Sequence, residues 1–198
     1  MIKIIRENLP YYNEIIIQKV IVILSTILCY LKMHYWNIKI GPNCKFKGII
    51  KIRKMPFSNI NIGKSCIFNS SHTSNLIGIN HPCIISTLSN NAQIKIGDNC
   101  GFSGTIIGAE QKIHIGNNVR CGANTIITDS DWHTGDSRIY GCKSVVIEDN
   151  VWLGLNVVVL KGVTIGRNSI IGANTTLTKS IPESVVVAGN PVKIIRKI

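Results

Sequence analysis

The stretch DSDWHTGDSRIYGCKS, residues 129–144, places one histidine, His133, among Asp129, Asp131 and Asp136. An imidazole suits proton transfer near neutral pH. A neighbouring carboxylate can fix the ring's tautomer and stabilise the imidazolium that forms. The spacing offers both Asp129 and Asp131 for that second role. The chemistry open to such a group is removal of a proton from a hydroxyl as the oxygen attacks. A short Asp-x-His string is weak by itself, so its weight depends on the elements that position it.

Those elements are a repeat. From Ile147 aliphatic residues recur at every sixth position (Ile147, Leu153, Val159, Ile165, Ile171, Leu177). A smaller series falls four residues after each (Val151, Val157, Val163, Ser169, Thr175, Ile181). Helices repeat near 3.6 residues and strands near 2, so a period of six fits neither alone. It fits a solenoid of flat faces, three to a coil of about eighteen residues. The first series should point inward, the second should sit near the corner, and Gly154, Gly166 and Gly172 should make the tight turns between them. Less regular hexads (IGPNC, IGKSC, QIKIGDNC, KIHIGNNVRCG) extend the pattern back to Ile38. KIRKMPF reads as an edge or a bulge, because Pro56 cannot donate to a ladder. Ile96 to Ile115 is one residue longer than a coil, which predicts a bulge or a longer corner there. Ile115 to Ile147 is far longer than one coil, and the surplus is the His133 loop. Functional residues concentrate on loops held by rigid scaffolds.

VWLG at 151–154, KGVTIG at 161–166, IIGANTTLTKSIP at 170–182 and AGNPVKIIR at 188–196 resemble the hexapeptide-repeat acyltransferases of the sugar and polysaccharide O-acetyltransferase type. The resemblance is close from about Ile94 onward, looser from Ile40 to Ser89 and absent before Ile38. It implies an all-β solenoid, a left-handed parallel β-helix over residues 37–198; residues 1–36 are read from their own pattern as an N-terminal α-helical extension. It implies acetyl-CoA as acyl donor and a saccharide hydroxyl as acceptor, in O-antigen, capsule or exopolysaccharide biosynthesis. It further implies a homotrimer whose sites lie between neighbouring coils. His133 then matches the family's catalytic base, with Asp131 beside it. Trp152 and Gly154 fall near the acetyl or pantetheine end of the donor, and Ala173 on the pantetheine arm. Thr178, Lys179, Lys193 and Arg196 fall toward the nucleotide. Leu155 departs from the small polar residue often found in that place. Lys161 and Arg167 read equally as donor contacts or as a solvated face. The alternatives are N-acetylation of a nucleotide-linked amino sugar, acetylation of an antibiotic, and a non-catalytic solenoid. The last would show uninterrupted coils, which the His133 insertion argues against.

The 198 residues fit one domain with an appendage, and the aromatic content of 6% suits narrow coils filled with Ile and Val. The formal net charge is +12, and the only acids between Met1 and Lys95 are Glu7 and Glu14. This cationic half could face anionic lipid or a phosphorylated substrate. Nucleic acid is not expected, since no recognition module is visible. The seven cysteines lack metal-ligand spacing. Cys44, Cys66 and Cys100 fall at the small corner position, as reduced core thiols would. His34, His72, His81 and His114 include no close pair of the kind a zinc site uses, and no metal is expected. His114 should point outward between Ile113 and Ile115.

Tyr11 to Met33 is the most apolar segment, and Glu14, Gln18, Ser25, Cys29 and Lys32 fall near one line at helical spacing. Its uncharged run, Val20–Leu31, is about twelve residues against the roughly twenty a spanning helix needs. Two readings stay open: a helix lying in a membrane interface, or one packed on the coil or on a neighbouring subunit. No secretory signal is expected, because the apolar run starts late and lacks a small-residue cleavage site. The expected location is the cytoplasm, peripheral on the inner face of the cell membrane where the helix meets anionic lipid.

Overall fold

The computed structural model describes residues 2–133, 136–138 and 140–198, with side chains from Asn8 onward. A helix, Ile2–Tyr35, leads into a triangular solenoid walled by parallel sheets. Face A stacks Lys39–Ile40, Asn59–Ile62, Gln93–Ile96, Lys112–Ile115, Val145–Ile147 and Thr164–Ile165. Face B runs from Lys45–Lys47 through Arg120–Cys121, Trp152–Leu153 and Ile170–Ile171 to Val185–Ala188, where Lys193–Lys197 adds antiparallel. Face C runs from Lys51–Arg53 through Ile106–Ala109 and Ile126–Thr128 to Thr176–Leu177. Lys51–Arg53 is the end strand of its sheet, so KIRKMPF does lie at an edge.

The hexads stack as their period requires. Ile147 pairs with Ile165, Leu153 with Ile171 and Val159 with Leu177, and all six are fully buried. The smaller series is buried too, from Val151 to Ile181. The lower coils are filled differently: Phe46, Phe68 and Phe102 stack at centroid separations of 4.9 and 5.0 Å. Cys44, Cys66 and Cys100 are buried at the corner, their thiols directed at Gly63, Gly97 and Gly116 carbonyls at 3.1–3.3 Å. Burial raises the pKa of the Cys83 and Cys121 thiols, which keeps them protonated and unreactive.

The corners are not turned by the glycines that the sequence nominates. Gly154, Gly166 and Gly172 have no left-handed φ; that conformation belongs to Asn150, Asn156, Asn168 and Asn174, at φ of 54–61°. Asparagine tolerates this region because its short amide bonds locally. Here the amides form ladders, Asn150 to Asn168 at 3.1 Å and Asn156 to Asn174 at 3.0 Å. The glycines are needed for close approach: a Cβ on Gly154 would stand 2.7 Å from the Ala173 nitrogen of the next coil.

The extra residue between Ile96 and Ile115 is taken up near the corner from face C to face A. Six positions separate Ile107 from Ile113 there, against four between their stacked equivalents Val159 and Val163. A B-to-C corner one residue shorter after Phe102 offsets part of this.

The helix is longer than the uncharged run suggested. Asn8–Tyr35 is 28 residues with hydropathy 2.0, long and apolar enough by length and composition to cross a membrane. It lies across the open end of the first coil, with Ser25, Cys29 and Met33 buried. The polar line docks. Ser25 Oγ donates to the Phe46 carbonyl at 2.5 Å, and Thr26 Oγ1 accepts from the Phe46 N–H at 3.0 Å. Tyr30 Oη donates to Gly41 O at 2.9 Å, and Lys32 Nζ to Ile50 O at 2.9 Å. An end strand presents unpaired N–H and C=O groups, and these side chains satisfy them.

Candidate active site

The loop leaves the solenoid after Ile126–Thr128 on face C and returns at Val145–Ile147 on face A. Its two roots are tied together: Lys143 N–H donates to Asp129 O, and Gly162 N–H to Lys143 O, both at 2.9 Å. Asp129 itself is fully buried. Its carboxylate accepts three backbone N–H bonds, from Glu110 at 2.7 Å, Gln111 at 2.8 Å and Lys112 at 2.6 Å. Those are the donors of the lengthened corner, which the regular ladder does not reach.

Two further residues hold the loop. The Trp132 ring lies on Gly108, where a Cβ would overlap it, and its indole N–H donates to Thr128 Oγ1 at 2.9 Å. Trp132 takes a left-handed φ of 65°, a strained conformation for a bulky residue, held by that packing. Lys161 reaches up from the next coil, with Nζ at 2.5 Å from Asp131 Oδ2 and 2.7 Å from Tyr140 O.

His133, next to Trp132, is exposed at the loop surface. Among the described residues no side chain is hydrogen-bonded to its ring. Both carboxylates that the spacing offers as its partner are bonded elsewhere: Asp129 caps the corner at 110–112, and Asp131 faces Lys161. Lys161 is thereby a loop anchor rather than a free cation at a donor site. Arg167 pairs with Glu183 at 3.1 Å and sits on a solvated face. Thr134, Gly135 and Ile139 of the loop lie outside the described residues.

The remaining sequence-predicted residues divide between two sides of the prism. Thr178 and Lys179 follow Thr176–Leu177 at the same C-to-A corner as His133 and Lys161. Trp152, 56% exposed, stands on face B, with Lys193 and Arg196 exposed on that sheet's last strand. Gly154 and Ala173 lie one above the other at the B-to-C corner. Face B lies opposite the corner that carries His133, so a single chain does not bring His133 and Trp152 together. Trp152 borders a hollow of about 510 Å³ whose other walls include Asn69, Ser103, Asn118 and Arg120. On face A, His114 is half-buried between inward Ile113 and Ile115; burial, then Lys95 and Lys112, lowers its pKa. A neutral imidazole is the result at pH 7.

Residues 144–179 match the bacterial transferase hexapeptide (six repeats) family model. That segment carries the bacterial transferase hexapeptide repeat. A galactoside O-acetyltransferase of Lactococcus lactis subsp. lactis (strain IL1403) is 43% identical over 112 residues, 54% of each chain. A galactoside O-acetyltransferase of Escherichia coli (strain K12) is 54% identical over 54 residues, 27% of each chain. This chain thus spans about half the length, or less, of these relatives. The architecture is similar to that of AntD, an N-acyltransferase from Bacillus cereus solved with dTDP-4-amino-4,6-dideoxyglucose and coenzyme A. The TM-score is 0.65 at 16% identity, covering 85% of this chain and 88% of the other, a likeness of fold alone. The fold is the left-handed parallel β-helix that the family resemblance implies.

The Trp132–Gly108 pair is a positioning feature that motif reading missed, although a strand glycine marks close approach. Gly108→Ala should leave the coil folded and shift Trp132 off the sheet. Any reaction that uses His133 is expected to slow about 10–10²-fold, because a small misplacement of a reacting group costs that much. A red shift in tryptophan emission should accompany the loss; unchanged emission with full activity would remove Gly108 from the site.

Proposed function

We propose that this chain transfers the acetyl group of acetyl-CoA to a saccharide hydroxyl, in the biosynthesis of a surface polysaccharide. The observation that carries the reading is the placement of His133. It is exposed on a loop pinned by Asp129, Trp132 and Lys161, on a solenoid of hexapeptide-transferase type. His133 accepts the proton of the acceptor hydroxyl as the oxygen attacks the thioester carbon. It returns that proton to the departing thiol as the C–S bond breaks. Acetyl-CoA, when bound, supplies the acetyl group as a thioester.

The C-terminal coils suit such a donor. Lys179 and Lys193 are exposed and form no ion pair among the described residues, which leaves their charge for phosphates. The site is completed between chains in a trimer: the C-to-A corner of one protomer, with His133, faces the Trp152 face of another. The separation of these two sets within one chain supports this arrangement.

The test is release of free thiol from acetyl-CoA across a panel of oligosaccharides and nucleotide amino sugars, with mass detection of products. An acetyl ester removed by mild alkali is the expected product. An alkali-stable amide, or no transfer to any hydroxyl, overturns the proposal. In the same assay, Lys193→Ala with Arg196→Ala should raise KM for acetyl-CoA about 10²-fold or more, since two hydrogen bonds to charged groups are lost, each worth about 1.5–3 kcal/mol. Turnover should change far less. Unaltered coenzyme A affinity by calorimetry would assign those cations to the solvated face.

A further inference from the structure

The N-terminal helix is inside out. Ser25, Cys29 and Lys32 of its polar line dock on the first coil and Gln18 on Thr73, while Ile16, Ile17, Val20, Leu24, Leu28 and Leu31 are each about half exposed or more, pointing away from the protein. Only 11% of the apolar window is buried. We infer that this face docks the enzyme on an anionic lipid bilayer, with the helix in the plane of the interface and the solenoid standing upright on it.

Three observations select lipid. The first coil carries cations on every face at the level of the helix: Lys39 on A, Lys45 and Lys47 on B, Lys51 and Arg53 on C. From Met1 to Gly97 the only acids are Glu7 and Glu14, against twelve Lys and Arg. A second copy presenting the same end would be repelled, whereas anionic headgroups are attracted. With Ile21, Ile23 and Ile27, also exposed, the outward apolar positions sweep about 160° of the helix at 3.6 residues per turn, beyond the roughly 100° at which a core-facing stripe begins. Tyr12 and Tyr35, at 59% and 84% exposure, lie toward the two ends of this band. Aromatics with a polar tip favour the headgroup level.

The same contacts decide between lying flat and spanning. Gln18 bonds Thr73 at 3.0 Å and Lys32 bonds Ile50 at 2.9 Å, so polar coil abuts the helix along most of its apolar length. A spanning pose would drag that coil into hydrocarbon, where unpaired polar groups are very costly. An in-plane pose buries only the outward face. The loop root at Asp129 then stands three strand spacings above the first coil on face C, about 15 Å.

Flotation of the full chain with vesicles of phosphatidylglycerol and phosphatidylcholine, or of phosphatidylcholine alone, tests this. Binding should favour the anionic vesicles and weaken as salt rises, since screening shortens the reach of surface charge. Lys39→Gln, Lys45→Gln and Lys51→Gln should each weaken it about fivefold. Val20→Gln, Leu24→Gln and Leu31→Gln together should abolish it; Gln is a good helix former and these side chains are exposed, so the fold is kept. A tryptophan added at Ile16, Leu24 or Leu31 should in each case add the same quenching by brominated lipid over that of the parent, as one depth requires. The inference is overturned if the full chain ignores anionic vesicles at low salt, or if quenching is graded from one end to the other. It is overturned equally if the triple apolar variant changes assembly mass by light scattering while flotation is kept, which would assign the face to another copy.

Discussion

Replacing His133 by alanine is expected to lower acetyl transfer by roughly 10²–10⁴-fold, the range for loss of a positioned general base. The fold should be unaffected. His133 is exposed, its side chain carries no hydrogen bond among the described residues, and the loop is held by its neighbours. The melting temperature and circular dichroism should therefore match the parent, while turnover collapses. A folded His133→Ala protein with parental turnover would transfer the catalytic role elsewhere and sink the proposed function. Unlike Gly108→Ala, this substitution should leave tryptophan emission unchanged, so the two losses are distinguishable.

The second large effect is structural. Asp129→Ala should cost about 3 kcal/mol or more, because it strands three backbone donors at 110–112, and each buried donor without a partner costs about 1–3 kcal/mol unless water replaces the lost acceptor. For a chain of this size, a loss of that order lowers the melting temperature by about 6–12 °C. Asp129→Asn should recover part of it, since the amide keeps one acceptor oxygen. Transfer should fall as well, because the Asp129 backbone also closes the root of the His133 loop through Lys143. If Asp129→Ala melts like the parent and loses only activity, the carboxylate acts in catalysis and its capping role is secondary.

These two residues, four positions apart in one acidic loop, show where motif reading stops. Both Asp129 and Asp131 fit the description of a carboxylate beside a histidine. Their roles diverge because one meets the backbone of the preceding coil and the other a lysine of the following coil. Those partners lie 17 to 30 positions away, and side-chain period alone does not say which corner will face which loop. The same limit applies to the corner glycines. Their recurrence was legible, but it serves contact between coils, and the left-handed turn belongs to asparagines two positions on.

What the sequence determined by itself is everything the six-residue period encodes. That includes the inward aliphatic series, the buried corner cysteines, the stacking of Ile147 on Ile165, and the break that exposes His133. The period suffices because a parallel β-helix makes its contacts one coil away, so each residue's neighbour is a fixed distance along the chain. The helix shows the opposite case. Its polar line was visible at Gln18, Ser25 and Lys32, but a polar line ordinarily faces water. Only the tertiary structure turns it inward, because the open end of a solenoid exposes backbone donors and acceptors that apolar side chains cannot satisfy.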